Sequence, residues 1–366
     1  MRVNPPHPAF VAAFDFAARQ VRSLVETYPN YFPMYTVNGR WQHAGEAWTN
    51  WCEGFLGGEL WLLYQHTGDI YWREKAEHAS RLIEPRQTDC SVHDLGFLFW
   101  PTWKRWYDLT GDPARLQVVI TAGKTMGNRF KEMGSYLRSF VAEDSLFIDI
   151  MMNVGIVIYA AQQSGDADLL GKALAHCLTT RRCLVRGDGS TAHEGLFDLE
   201  TGEFLRQSTH QGYRSDSSWA RGQAWALYGF GTVYQMTGDP RFLHTAEACA
   251  AFYIENTPAC GVPPNDWRDP QPPTPYESSA AAIAASGLLN LAELSTDAMH
   301  RKLYRDYALI ILETLTSPEF LAAGSPGWEG ILKHGSYHPR KGLGVDESVM
   351  WGDYFFLEAL SKVLHG

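Results

Sequence analysis

The chain has 366 residues, of which 45% are hydrophobic and 20% charged, the balance of an ordinary globular protein and not of a disordered chain. Its net charge of −10 includes no long run of one sign, which argues against a nucleic-acid partner but not against a small acidic ligand beside a local arginine. Six cysteines without CxxC spacing, prolines and Asp15 where a signal peptide needs an apolar stretch, and a longest apolar run of only residues 154–161 together predict a cytoplasmic protein with reduced thiols and no membrane partner. Oligomeric state stays open.

In chain order, apolar spacing predicts twelve helices, at 8–27, 50–66, 70–84, 93–109, 112–131, 145–163, 166–183, 219–236, 240–256, 277–294, 298–315 and 348–364. Phe10, Phe14, Ala17, Val21 and Leu24 recur at steps of four and three, as one helix face requires, and clean two-residue alternation is almost missing. A short signal recurs between helices: Thr67-Gly68-Asp69, Thr110-Gly111-Asp112, Ser164-Gly165-Asp166, Thr237-Gly238-Asp239 and a looser Ser295-Thr296-Asp297. Glycine ends one helix in left-handed geometry and aspartate caps the next, so each reads as a tight αα-turn.

These five turns join helices 2–3, 4–5, 6–7, 8–9 and 10–11, while most other links are long. All hairpins then point one way and the long loops gather at one rim. Twelve antiparallel helices so arranged predict an all-α fold, an (α/α)6 barrel of six inner and six outer helices, with residues 1–366 as a single domain. Unequal spacing of the signals disfavours a regular solenoid. Function is expected on the long-loop rim.

Four segments place reactive side chains there. Asp149 lies in an apolar run, FIDIMMN, and shares a helix face with Asn153 four residues on; it is either a cap or a carboxyl held in apolar surroundings with a raised pKa. Asp94, in SVHDLGFLFW, is an N-cap candidate or the partner of Asp149 across a pocket. His193 sits in the longest loop, followed by His210 and Gln211, and Arg221 stands between Trp219 and Trp225. An arginine between indoles suits a sugar acid, its fork on the carboxylate and the rings on the pyranose; equally, it is an arginine packed on tryptophan for stability. The abundance of rings (13 Trp, 17 Tyr, 18 Phe) also suits sugar stacking. Ser278 and Ser279 read as helix caps. His334 and His338 have metal spacing only on a helix, which Gly335 and Pro339 oppose.

Taken in order, HDLGFLF, FIDIMMN, THQG, WARGQAW, YESSAAAIAASGLL and GSYH followed by WGDYFFLEAL resemble the unsaturated glucuronyl hydrolases of glycoside hydrolase family 88, from about Trp48 to Leu360. The resemblance implies the same barrel, no metal or organic cofactor, Asp149 as proton donor and water-activating base, and Asp94 as its supporting carboxylate. His193, Gln211, Trp219, Arg221 and Trp225 match positions that hold an unsaturated uronic acid. Leu56 and Gly57 stand where the family pattern has Trp and Ser near the outer sugar, and Phe140 replaces another tryptophan, which bears on the leaving sugar. The implied substrate is an oligosaccharide left by a polysaccharide lyase, of glycosaminoglycan type, and the implied reaction is vinyl-ether hydration. Rivals are an unsaturated rhamnogalacturonyl hydrolase, an inverting glycosidase, a barrel-type epimerase working through His193 and His338, and a non-catalytic glycan binder. Asp94's negative charge is expected to help raise the pKa of Asp149, against the positive end of the following helix.

Overall fold

The computed structural model describes residues 7–42 and 51–365, so Trp48 and the expected start of the second helix at 50 lie outside the described residues. The described helices are α1 (Pro8–Thr27), α2 (Glu53–Thr67), α3 (Ile70–Ile83), α4 (Leu95–Phe99), α5 (Arg105–Thr110), α6 (Pro113–Gly127), α7 (Ile150–Ser164), α8 (Ala167–Leu184), α9 (Ala220–Thr237), α10 (Pro240–Asn256), α11 (Ser278–Leu294), α12 (Ala298–Leu315) and α13 (Met350–His365). A π-helical turn, Trp100–Lys104, joins α4 to α5. Pro101 supplies the reason: without an N–H it cannot continue the ladder, and its ring would crowd the preceding turn. Counting α4 and α5 as one interrupted helix gives the expected twelve.

The turn signals fold as their residues dictate. Gly68, Gly111, Gly165 and Gly238 take φ of +66° to +69°, and Asp69, Asp112, Asp166, Asp239 and Asp297 each accept a backbone N–H in the first turn of the next helix. Inner and outer helices then separate by burial. Ten consecutive residues of α2 (Gly54–Leu63) and fourteen residues of α11 are buried, whereas α3 and α12 bury five each, the pattern of a fully enclosed helix against a half-exposed one. Contacts run α2 to α4, α4 to α7, α7 to α9, α9 to α11, α11 to α13 and α13 back to α2. The inner ring closes, and the fold is an (α/α)6 barrel.

Close approach of inner helices requires glycine at particular places. A Cβ on Gly96 would lie 2.5 Å from the Asn153 Cα, and one on Gly229 would lie 2.6 Å from the Met151 carbonyl oxygen, so α4, α7 and α9 touch backbone to backbone.

The loops hold what the alternation test missed. Short antiparallel pairs are β1 (Thr36–Val37) with β2 (Arg40–Trp41), β3 (Phe130–Lys131) with β4 (Tyr136–Leu137), and β8 (Gly335–His338) with β9 (Leu343–Glu347); β5 (Ser145–Phe147), β6 (Glu194–Phe197) and β7 (Phe204–Ser208) form a three-stranded sheet. The helix expected from 145 therefore begins at Ile150, because Ser145–Phe147 pairs with Glu194–Leu196 instead. The helix expected to end at 131 likewise stops at Gly127, its last residues forming β3.

A candidate active site at the loop rim

A cavity of about 750 Å³ opens at this rim, with Asp94, Asp149, His93, His193, His210, Gln211 and Arg221 in its wall and Trp51, Phe140, Phe147 and Tyr337 among its rings. Asp94 and Asp149 immediately precede α4 and α7, and neither side chain caps its helix. The capping alternative is thereby excluded for both.

Sheet geometry places Asp149. The Ile148 N–H donates to the His193 carbonyl at 2.9 Å, extending the β5–β6 ladder one residue beyond Phe147 and Glu194. Asp149 and His193 are thus adjacent, with Asp149 Oδ2 at 3.6 Å from His193 Nε2. His193 Nδ1 accepts the N–H of His210 at 3.1 Å, so the ring proton sits on Nε2 and points at the carboxyl. Burial, with His210 and Arg221 nearby, holds the His193 pKa well below the usual histidine range. His193 is therefore neutral and faces Asp149 beyond hydrogen-bonding distance, so Asp149 Oδ2 and His193 Nε2 are both buried without a hydrogen-bond partner.

Asp94 has a similar neighbour that the sequence did not single out. His93 Nδ1 accepts the Phe140 N–H at 3.0 Å, and its Nε2 lies 3.4 Å from Asp94 Oδ1. Burial and the charge of Arg129 push this histidine far down too. Each carboxyl is met by one imidazole whose tautomer is fixed by a main-chain N–H.

The two carboxyls differ. Burial raises Asp149 to about 6, against the pull of Arg221, a backbone N–H and His210. Burial and then the charge of Asp149 push Asp94 well above the carboxylate range. Both are thus raised, and for Asp149 the rise comes from burial and not from the charge of Asp94 that the sequence suggested. The opposing pull of backbone N–H at the α7 terminus has the expected sign.

Arg221 is 1% exposed, with its guanidinium 4.3 Å from the Trp219 ring and 4.9 Å from that of Trp351. It donates from Nη1 to the Ser336 carbonyl at 2.5 Å, and from Nη2 to Gln211 Oε1 at 2.5 Å and the Tyr337 carbonyl at 3.0 Å. It thereby ties the Gln211 loop to β8.

Among the expected site residues, Asp94, Asp149, His193, Gln211, Arg221 and Phe140 meet at the cavity, whereas Trp219, Trp225 and Leu56 are not in its wall. Trp219 stacks on His193 and Arg221 from behind. Trp225 packs between Phe97 and Phe355 in the barrel interior, and Leu56 is buried in α2. Trp51, a few residues before Leu56, supplies the ring on that side. Glu277, not Ser278 or Ser279, caps α11, accepting the N–H of Ser279 and Ala280. His334 is bonded to Asp346 and to the Glu319 carbonyl, while His338 lines the cavity with a buried, unpartnered Nδ1.

Two buried carboxyls of unequal proton affinity in a ring-lined pocket on an (α/α)6 barrel define a glycoside-processing hydrolase. The sequence matches the model of Glycosyl Hydrolase Family 88 over residues 21–260, and the chain belongs to that family. It is 32% identical to an unsaturated glucuronyl hydrolase of Bacillus sp. (strain GL1) over 365 residues, 97% of this chain and 95% of that protein. It is 30% identical to an unsaturated chondroitin disaccharide hydrolase of Streptococcus pyogenes serotype M1, covering 96% and 90%. A solved unsaturated glucuronyl hydrolase specific for heparin superposes with a TM-score of 0.90 at 30% identity, covering 97% of this chain and 96% of the other.

Proposed function

We propose that this enzyme releases a 4,5-unsaturated uronic acid from the non-reducing end of lyase-generated, glycosaminoglycan-type oligosaccharides by hydrating the C4=C5 bond. The observation that carries the roles is Asp149: a cavity carboxyl raised to about 6, with one oxygen that has no hydrogen-bond partner and faces the neutral His193 imidazole at 3.6 Å. That unpartnered oxygen is available to carry the acid proton for transfer. At pH ~6.5 an ordinary aspartic acid is protonated about once in 400 molecules, whereas a pKa of about 6 gives roughly one in four.

The chemistry balances without any other group. Asp149 gives its proton to C4, and positive charge develops on C5 and the ring oxygen. A water adds at C5 and gives one proton to the Asp149 carboxylate just formed, restoring the acid. The resulting hemiketal opens, the glycosidic bond breaks, and the next sugar leaves as an alcohol. Asp94 supports the reacting acid from across the pocket, and Gln211, fixed by Arg221, presents its amide to the sugar. Phe140 offers a ring at the mouth, where a second sugar would lie. We also read residues 1–366 as one domain, a reading supported by the buried apolar cluster that runs from Phe10 to Leu360, and the chain as cytoplasmic, supported by six cysteines that form no disulfide.

Turnover in heavy water tests the mechanism. Hydration places a deuteron on C4, read promptly by proton and mass spectra before the released keto sugar exchanges. Asp149→Asn is expected to abolish turnover while substrate binding stays within a few-fold. A product that keeps its double bond, with no label at C4, would sink the hydration mechanism.

A further inference from the structure

One wall of the cavity is built from two loop segments that no main-chain hydrogen bond joins among the described residues. Ser91, Val92, His93 and Asp94 belong to the segment that leads into α4, and Phe140 and Val141 to the loop between β4 and β5. Arg129, just beyond the end of α6, laces the two together. It is 3% exposed and stands behind the wall, not in it. One edge of its guanidinium grips consecutive carbonyls, Nε donating to that of Arg138 at 3.0 Å and Nη2 to that of Ser139 at 2.6 Å. Nη1 donates across to the Cys90 carbonyl at 2.5 Å. The Phe140 N–H, bonded to His93 Nδ1 at 3.0 Å, adds a second tie. The two sides differ in firmness. The Asp94 carbonyl accepts the Leu98 N–H in the first turn of buried α4, whereas Phe140 and Val141 are 48% and 44% exposed. Arg129 thus holds an exposed lip against a wall that its own helix fixes.

We propose that Arg129 is a positioning residue for the leaving sugar: by tying the Phe140 lip to the Asp94 segment, it fixes the width of the cavity where the second sugar lies. The proposal rests on the unsaturated-uronide reading above and deepens it. A planar guanidinium suits this task, because its donors point in fixed directions and reach carbonyls on both segments at once, which a single ammonium cannot do. Arg129 makes no contact with substrate in this scheme and acts only through the Phe140 ring. That ring packs on His93 at 5.4 Å between centroids, so lip and wall move as one body. The charge of Arg129 also opposes the rise of Asp94. Arg129→Lys keeps that charge while losing the fork, and so separates the two effects.

The test compares kcat/KM for an unsaturated uronyl disaccharide with that for the methyl glycoside of the same unsaturated uronic acid, which places no sugar at the lip. Both are followed by loss of the alkene absorbance, in the wild type, Arg129→Lys, Phe140→Ala and the double variant. Phe140→Ala is expected to lower the disaccharide-over-methyl preference by about fivefold, the worth of one ring contact. Arg129→Lys lowers it by a similar factor, chiefly through KM for the disaccharide. The double variant is then no worse than Phe140→Ala alone, because both changes act on one contact. Losses that add in the double variant, or an Arg129→Lys loss equal on the two substrates, overturn the proposal. Arg129→Gln, which buries no charge, gives the same comparison if the lysine variant does not fold. If the wild type consumes neither substrate, the hydration reading fails. Calorimetry with a saturated glucuronyl disaccharide and methyl glucuronide then reads the same preference without turnover and still decides for or against Arg129.

Discussion

Asp149 and Asp94 occupy equivalent places before two inner helices yet carry protons differently, and the difference has a measurable consequence. If Asp149 acts as the acid, the rate follows its protonated fraction, present below about 6 and lost as pH rises. Asp94 is raised as well, by burial and by the Asp149 charge. Because burial is what raises Asp149, the alkaline midpoint of the pH–rate profile is expected to stay near that of the wild type in Asp94→Asn, even where kcat falls. A midpoint moved down by a full unit would mean that an ionised Asp94 was raising Asp149. Sequence alone identified both residues and the apolar setting of one, because an acid in an apolar run is visible in one dimension. It missed His93 and Glu194, since their significance lies in what they face across loops: Asp94 Oδ1 at 3.4 Å and His210 Nε2 at 3.1 Å.

At the scale of elements, helices and tight turns were the most legible part, since both are written in local residue order. Asp112 illustrates it. Its side chain accepts the Ala114 N–H at 2.9 Å, beside Gly111 at φ +66°. Asp112→Ala is expected to cost about 1 kcal/mol of unfolding free energy, and chemical denaturation should show it without any change in KM, because this rim is remote from the cavity. The rim sheets were illegible for a physical reason. Strands of two to five residues are too short to display alternation, and pairs such as Phe147 with Glu194 are set by partners nearly fifty residues away. Trp225 shows the opposite error: two indoles flanking an arginine in sequence look alike, but α9 turns one toward the site's support and the other into the barrel.

Across the whole molecule, buried ionisable groups outside the site set the pH dependence of stability. Glu59 in α2 is pushed well up by burial and by Asp353, and burial raises Asp353 in α13 to about 7. Acids raised in the folded state stabilise it fully below their ordinary range and lose that contribution as pH rises through the folded value. Glu358 is opposite: against burial, Lys362 and Arg105 pull it down to about 2, so its contribution is present above the ordinary range and fades in acid. Stability is thus expected to peak in mildly acidic solution. Glu59→Gln should flatten the decline above the ordinary carboxylate range, measured as unfolding free energy at each pH; an unchanged slope would exclude Glu59 as a contributor.

The Glu358 cluster has one more consequence. Its carboxylate bonds to Ser286, Tyr228 and Tyr354, with Lys362 at 3.3 Å and Arg105 at 3.5 Å, and the buried rings of Phe55, Phe97, Trp225 and Phe355 pack on one another across the barrel. Among the described residues this ring layer closes the barrel below, and the cavity opens at the loop rim. Substrate and first product must pass through the same opening, so the released keto sugar acts as a competitive inhibitor, raising the apparent KM while the limiting rate stays fixed. A chain cannot be threaded through, so sugars beyond those at the mouth hang in solvent and add nothing; kcat/KM is expected to level off at the disaccharide, and a tetrasaccharide turned over many times faster would require a second contact surface outside the cavity.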